Sequence, residues 1–484
     1  MRRVPGWSRP LTAATLLLCF SACGGKTGFG APSTLPAAVY QGGSPVRELG
    51  HARRKIQHVV IIIQENRSFN NLFYGYPGAR TAKYGHDSKK QKIELKPIPL
   101  ETNWDLEHNP HGFIAACNGK GKIPGTECRM NGFDNETWTC DTPKYPKCPI
   151  EYPPYAFVPH DETKPYFEMA HQYVLADEMF ASNFDSTSFM SHQYIIAGVN
   201  PDASIGIPDG RWGCPGGTAD RISVLGSERV WPVGSVRPCW DVTTLGDELH
   251  KAGLSWSFYA TPLGDDNHKT CGHPGADAGG GGTSNGRGIW SAYQTIANIC
   301  YGPAWNAHVM SPPSRFLNDI GRGKLSNVTW ITPTYANSDH GGSASKTGPA
   351  WVASLVNAIG ESQYWESTAI FIFWDDYGGW YDPEPPAHLD LDGLGMRLPL
   401  LIISPYAKKG LVSHVHYEHG SILKFVEDQF GLRRLAASDT RANSPARFCF
   451  DFSQAPRTFV PIHAPLDENY FKLEPLDRRP PDSD

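Results

Sequence analysis

Short runs of apolar, β-prone residues set the framework of the chain. Val59-Val60-Ile61-Ile62-Ile63 lies within a strand predicted over 56–64. A continuous β-branched run of this length marks a strand buried on both faces, as in parallel sheets. Runs at 328–332, 369–374 and 399–404 predict three more strands. Between them, apolar residues recur at helical spacing over 347–359 and 420–430, where Ile422, Leu423, Phe425 and Val426 form one stripe. Strands alternating with helices predict an α/β fold, a three-layer α/β/α sandwich around a mostly parallel central sheet. The region around 200–323 is rich in Gly, Pro and Trp and weakly patterned. It reads as a long, loop-rich insertion over the active face.

The N-terminus has a different pattern. Arg2 and Arg3 precede an apolar stretch from Leu11 to Phe20, too short for a membrane-spanning helix. Phe20-Ser21-Ala22-Cys23 then resembles the end of a lipoprotein signal, with Cys23 as the lipidated residue. Residues 1–23 are therefore read as a signal peptide, 24–55 as a flexible tether, and 56–475 as a single folded domain. The expected location is exported: a periplasmic or outer-membrane lipoprotein held by a lipid anchor at Cys23, or a secreted protein.

The composition narrows the function classes. The 484 residues are 40% hydrophobic and 19% charged, with a formal net charge of −5. That supports a sizeable core and offers no basic field for a polyanion, so a nucleic-acid partner is not expected. Beyond the leader stand nine cysteines: Cys117, Cys128, Cys140, Cys148, Cys214, Cys239, Cys271, Cys300 and Cys449. An oxidising compartment lets most of them pair, and an odd count leaves one over. A zinc cluster among the first four is the rival reading.

Ligands of open parallel sheets bind beyond the carboxyl ends of the strands. The first strand runs into Glu65 and Asn66, the third into Asp375 and Asp376. If the two strands are neighbours, these oxygen donors meet and suit a hard divalent cation. N-caps and loop carboxylates are the plain alternative. Asp339-His340 follows the strand at 328–332, and His108, His111, His388, His414, His416 and His419 are further candidates. Ser186-Thr187-Ser188 offers three hydroxyls ahead of an apolar stretch, where a helix N-terminus would favour a bound phosphate.

Taken together, these blocks resemble the phosphoesterase family of bacterial phospholipases C and acid phosphatases, a branch of the alkaline phosphatase-like superfamily. The likeness rests on Glu65-Asn66-Arg67-Ser68-Phe69, Asp105-Leu106-Glu107-His108, Met130-Asn131-Gly132-Phe133 and Leu175-Ala176-Asp177. It continues with Asp339-His340, Asp375-Asp376-Tyr377-Gly378-Gly379 and Ser404-Pro405-Tyr406. It spans roughly 56–432. The resemblance implies a metal-dependent phosphoesterase that works through a phosphoseryl intermediate, with a phosphate monoester or a phospholipid as substrate. It implies a divalent metal ion on Glu65, Asn66, Ser188, Asp375 and Asp376. Ser188 is the implied nucleophile by counting, with Ser186 and Thr187 open, and His108 and His340 are implied to hold phosphoryl oxygens or protonate the leaving group. Asn66 and Arg67 would add donors to the phosphoryl oxygens. The sequence departs from the family at Asn70, often Asp, and at Asn298, where a phosphate-binding histidine is expected. Trp212, Trp231, Trp240 and Trp256 could seat a cationic headgroup, or simply pack the insertion. The alternative function is a non-catalytic surface lipoprotein that retains the fold.

Overall fold

The computed structural model describes residues 55–477 and 479, apart from 142–146, 209–212, 262–270 and 272–289. The expected signal peptide over 1–23, with Cys23, and nearly all of the expected 24–55 tether lie outside the described residues, as does Trp212. Among the described residues the central sheet has nine strands: β1 His58–Gln64, β2 Val174–Phe180, β3 Trp256–Tyr259, β4 Val309–Met310 and β5 Val328–Ile331, then β6 Thr368–Trp374, β7 Arg397–Ile403, β8 Leu411–Ser413 and β9 Tyr417–Glu418. The order is β4-β3-β5-β1-β6-β7-β2-β8, with β9 also paired to β2. Every pairing is parallel except the two made by β7. Thus all strands but β7 point the same way, and their carboxyl ends share one edge.

The β1 run is buried along nearly its whole length, as its composition predicts. The strand expected at 399–404 is β7, but it runs antiparallel to its neighbours. An apolar run carries no direction, and the link from β6 to β7 contains no helix to return the chain for a parallel crossover. Two strands, β3 and β4, come from the 200–323 region, so part of that region extends the sheet.

Four helices bear on the site: α1 Lys164–Gln172, α2 Ser188–Ala197, α3 Gly348–Gly360 and α4 His419–Phe430. Side chains alternate faces along a strand. Phe371 and Phe373 of β6 share one face and meet Phe425 and His419 of α4. Trp374 points to the other face and meets Tyr166 of α1. Helices therefore cover both faces, which gives the three-layer sandwich. Among the described residues, no helix is long and apolar enough to cross a membrane.

The cysteines pair as Cys117–Cys128, Cys140–Cys148, Cys214–Cys239 and Cys271–Cys300. This overturns the zinc reading for the first four, whose sulfurs are bonded to each other. Cys449 is buried and free, its sulfur 3.2 Å from the Tyr417 hydroxyl. Alkylation of a denatured, unreduced chain lacking residues 1–23 is expected to label one thiol, Cys449; a second labelled cysteine on peptide mapping would contradict the pairing.

A buried ion pair fastens the loop after β6. Arg397 donates to both oxygens of Asp382 at 2.9 and 3.1 Å, and to the Asp177 carbonyl at 2.9 Å. Burial outweighs the arginine charge and leaves the Asp382 carboxyl above its ordinary range. The pair contributes geometry more than net stability, so removing one partner is the costly change. Asp382→Ala should destabilise the protein by about 3–5 kcal/mol in urea unfolding, because Arg397 is left buried without its counter-charge. A cost under about 1 kcal/mol would show that the pair is not anchoring the loop.

Candidate active site

β1 and β6 are adjacent and in register, with Gln64 opposite Trp374. The next residues, Glu65 and Asp375, therefore leave the sheet side by side, followed by Asn66 and Asp376. All four are fully buried. Asn66 turns the chain at φ +59°, a conformation asparagine tolerates better than most residues. A Cβ on Gly378 would lie 2.2 Å from the Asn66 carbonyl oxygen, so the two loops meet only because this position is glycine. The Asn66 amide N–H donates to Asp375 Oδ1 at 3.4 Å, and the Gly378 N–H donates to Asp376 Oδ1 at 2.7 Å.

Ser188 arrives from the far side of β7. After β2 the chain makes a sharp turn at Ser186, with φ +52°, and enters α2 at Ser188. The three hydroxyls part company there. Ser186 donates to the Phe184 carbonyl at 3.2 Å, and Thr187 donates to Asp185 Oδ2 at 3.0 Å. Ser188 Oγ donates to Asp376 Oδ2 at 3.1 Å and accepts from Asn66 Nδ2 at 3.2 Å. Asn66 Nδ2 also reaches Asp376 Oδ2 at 3.1 Å. Of the three, Ser188 is the hydroxyl that meets the strand-end donors.

One group at this site was not among the sequence candidates. His192 lies one turn beyond Ser188 on α2, with Nε2 3.0 Å from Glu65 Oε1 and 3.8 Å from Asp375 Oδ2. Ligand atoms of Glu65, His192 and Asp375 all lie within 4.8 Å of one another. The signal available in the sequence was the i, i+4 spacing from Ser188, which places both residues on one helix face.

His108 and His340 form a second cluster with Asp105. Their rings meet edge to face at 5.4 Å. His108 Nδ1 lies 2.7 Å from the Leu106 carbonyl oxygen, and His340 Nδ1 bonds the Gly341 carbonyl oxygen. A carbonyl only accepts, so each Nδ1 carries a proton, and Nε2 is the nitrogen that can take up or give a second one. Asp105 Oδ2 is 3.6 Å from His340 Nδ1. A Cβ on Gly379 would lie 2.5 Å from Leu106 Cβ, so the His108 segment packs directly on the turn after Asp376. A cavity of about 350 Å³ touches Leu106, Glu107, Trp138, Thr187 and Ile207, and so joins the His108 segment to the entrance of α2.

The backbone that carries His340 is held from several directions. The Asp339 carboxylate accepts from the Tyr166 hydroxyl at 2.8 Å and from Trp374 Nε1 at 3.0 Å, and burial pushes it up to about 6. Arg67 donates from Nε to the Asp339 carbonyl at 2.7 Å, and from its other nitrogens to Asn71 and the Leu100 carbonyl. This corrects the expectation for Arg67. Its guanidinium is fully buried over the Trp380 ring and braces the loops instead of facing a substrate.

Several other candidates fall elsewhere. His111 packs on Trp231, His414 pairs with Asp177 at 2.8 Å, and His416 stacks on Phe180. The exposed Asn298 bonds Asp247 at 3.0 Å. Trp240 packs against Phe189, and Trp256 sits in β3 stacked on His308, so these two serve packing. Asn70 accepts from the Ala82 N–H at 2.7 Å, and its own N–H donates to Asp382 at 3.0 Å, which makes it a loop tie.

The donor set fits a divalent metal ion. Three carboxylates, from Glu65, Asp375 and Asp376, are concentrated in a fully buried region beside a hydroxyl and an amide. Buried carboxylates call for a compensating cation. The Asn66 amide oxygen is buried and accepts no hydrogen bond, which leaves an oxygen donor available to such an ion.

The sequence profile of the Phosphoesterase family matches residues 56–433. Phospholipase C B of Mycobacterium tuberculosis is 24% identical over 418 residues, covering 78% of this chain and 74% of that protein. The hemolytic phospholipase C of Pseudomonas aeruginosa is 23% identical over 438 residues, covering 78% of this chain and 53% of that protein. A solved alkaline phosphatase superfamily protein from Vibrio parahaemolyticus aligns with a TM-score of 0.35 at 10% identity, over 84% of this chain and 80% of that one. With more than three quarters of its length matched by the profile, the chain belongs to the Phosphoesterase family, hydrolases that act on phosphoester bonds.

Proposed function

We propose that this protein is an exported, metal-dependent phosphoesterase of the phospholipase C or acid phosphatase type that works through a phosphoseryl intermediate. One observation carries the reading: Ser188 opens a helix with its hydroxyl 3.1 Å from Asp376, beside Asn66, Glu65 and Asp375. Glu65, Asn66, Ser188, Asp375 and Asp376 would hold a divalent cation. Bound there, the ion would lower the pKa of the serine hydroxyl and offset phosphate charge.

The chain's own groups supply the rest. Asp376 accepts the Ser188 hydrogen bond and fixes the direction of the oxygen lone pairs. The N-terminus of α2 directs peptide N–H groups and a favourable dipole toward an incoming phosphate. As Asp376 takes the hydroxyl proton, Ser188 Oγ forms a bond to phosphorus and the bond to the leaving alcohol oxygen breaks. His108 or His340, protonated on Nε2, gives that proton to the leaving oxygen. The resulting neutral imidazole then takes a proton from water, which attacks phosphorus as the bond to Ser188 Oγ breaks, and Asp376 returns the proton to that oxygen. With a monoester the product is inorganic phosphate; with a choline phospholipid it is phosphorylcholine.

Three measurements test this. Ser188→Ala should lower kcat by about 10³-fold or more on p-nitrophenyl phosphate or on its phosphorylcholine diester, with folding unchanged by circular dichroism. Retained turnover in that variant, with loss in Ser186→Ala or Thr187→Val, would move the nucleophile. Chelation should abolish turnover, and a divalent ion should restore it. For the histidines, leaving-group dependence is diagnostic. His108→Gln and His340→Gln should lose more activity on an alkyl phosphate, whose leaving group needs a proton, than on the p-nitrophenyl ester. Equal losses on both substrates would point to phosphoryl binding instead of proton donation.

A further inference from the structure

His192 stands apart from the groups that the proposed chemistry uses, yet it bonds one of the carboxylates that would hold the metal and lies beside a second. It is fully buried on α2, four residues after Ser188. Residues at that spacing lie one above the other on a helix face. The helix that delivers the serine hydroxyl to Asp376 therefore also delivers an imidazole to Glu65 and Asp375. Its Nε2 is 3.0 Å from Glu65 Oε1 and 3.8 Å from Asp375 Oδ2.

We propose that His192 is a positioning residue whose Nε2–H holds the Glu65 carboxylate, beside Asp375, in the arrangement that binds the metal ion. The inference rests on the metal-dependent reading above. The contact at 3.0 Å is a hydrogen-bond distance, and a carboxylate oxygen only accepts. The proton is then on Nε2, which makes His192 the donor of this pair. A donor set beside two neighbouring carboxylates also eases their mutual repulsion and fixes the rotamer of the nearer one. Hydrogen bonds of this kind to ligating carboxylates typically carry 10–100-fold in metal affinity.

The test is calorimetric titration of Mn²⁺ and of Zn²⁺ into the chelator-stripped full-length protein, alongside metal-free melting curves. Three variants separate the possibilities. His192→Leu removes the donor. His192→Asn keeps a polar group too short to reach Glu65. His192→Gln places an amide N–H near the position of Nε2. The expected result is a dissociation constant raised about 10–100-fold in the Leu and Asn variants, with the Gln variant close to wild type. If the Leu variant fails to fold, the contrast between Gln and Asn carries the test. Wild-type affinity in both Leu and Asn overturns the proposal. So does a Gln variant as weak as Asn with an unchanged metal-free melting temperature, because that pattern belongs to direct ligation by the imidazole. A wild-type protein that binds neither ion overturns the metal-dependent reading itself, and that failure is visible before any variant is compared.

Discussion

The in-register pairing of Gln64 with Trp374 is the constraint on which the site depends. Parallel strands with matched ends deliver the residues that follow them to the same place. Here that brings Glu65 beside Asp375 and Asn66 beside Asp376. Because side chains alternate along a strand, a slip of one residue would turn every side chain of β1 to the opposite face and separate the pairs. The uninterrupted run Val59 to Ile63, buried between two helical layers, holds β1 at the centre of the sheet. The same sheet brings in the other partners. β5 leads to Asp339 and His340, and β2 leads to Ser188, both toward the edge where β1 and β6 end.

Concentrating carboxylates at a buried edge costs desolvation energy, and the way the chain uses its buried arginines sharpens the point. Arg67 and Arg397 both lie close in sequence or space to the acidic loops, and both are fully buried. Arg67 donates to two carbonyls and to Asn71. Arg397 donates to Asp382 and to the Asp177 carbonyl. Both guanidiniums thus act as loop braces, and neither donates to Glu65, Asp375 or Asp376. A compact divalent ion, unlike a planar guanidinium, can draw several oxygens toward one point. Tightly packed loops and the proposed cationic centre would then be two parts of one arrangement. The arginines hold the loops in place, and the loops hold the carboxylates proposed as ligands.

The parts of this architecture that rest on long apolar runs were legible in the sequence. β1, β5, β6, α3 and α4 fall within a residue or two of their predicted limits. β2 was not predicted as a strand, because Asp177 and Glu178 interrupt its apolar pattern. Asp177 is nevertheless buried and accepts from the Arg80 N–H at 2.8 Å. β3 and β4, of four and two residues, are too short for periodicity to show. The direction of β7 was invisible because hydrophobicity has no polarity along the chain. At the site, the motif blocks marked the strand ends, while Arg67 was misread because a charge beside Glu-Asn looks substrate-facing. His192 was hidden for a different reason. Every residue of α2 is buried, so the helix has no polar face against which a functional histidine could stand out.

The three consecutive hydroxyls show how local geometry resolves what spacing leaves open. Ser186, Thr187 and Ser188 are near-equivalents in sequence, and any of them could cap a helix. The left-handed turn at Ser186 reverses the chain and returns its own hydroxyl to the Phe184 carbonyl. Thr187 then takes the extended N-cap conformation, which directs its hydroxyl to Asp185 and the Gly206 carbonyl. Ser188 is the first residue with helical geometry, and its side chain projects along the face that carries His192 one turn later. A turn of this sharpness therefore does two things at once: it occupies one hydroxyl with the Phe184 carbonyl and the next with the Asp185 carboxylate, and it presents the third, with the helix N-terminus behind it, to the strand-end carboxylates. The same turn sets the register of α2. Inserting or deleting one residue there would rotate the helix by about 100° and carry Ser188 and His192 off the site together.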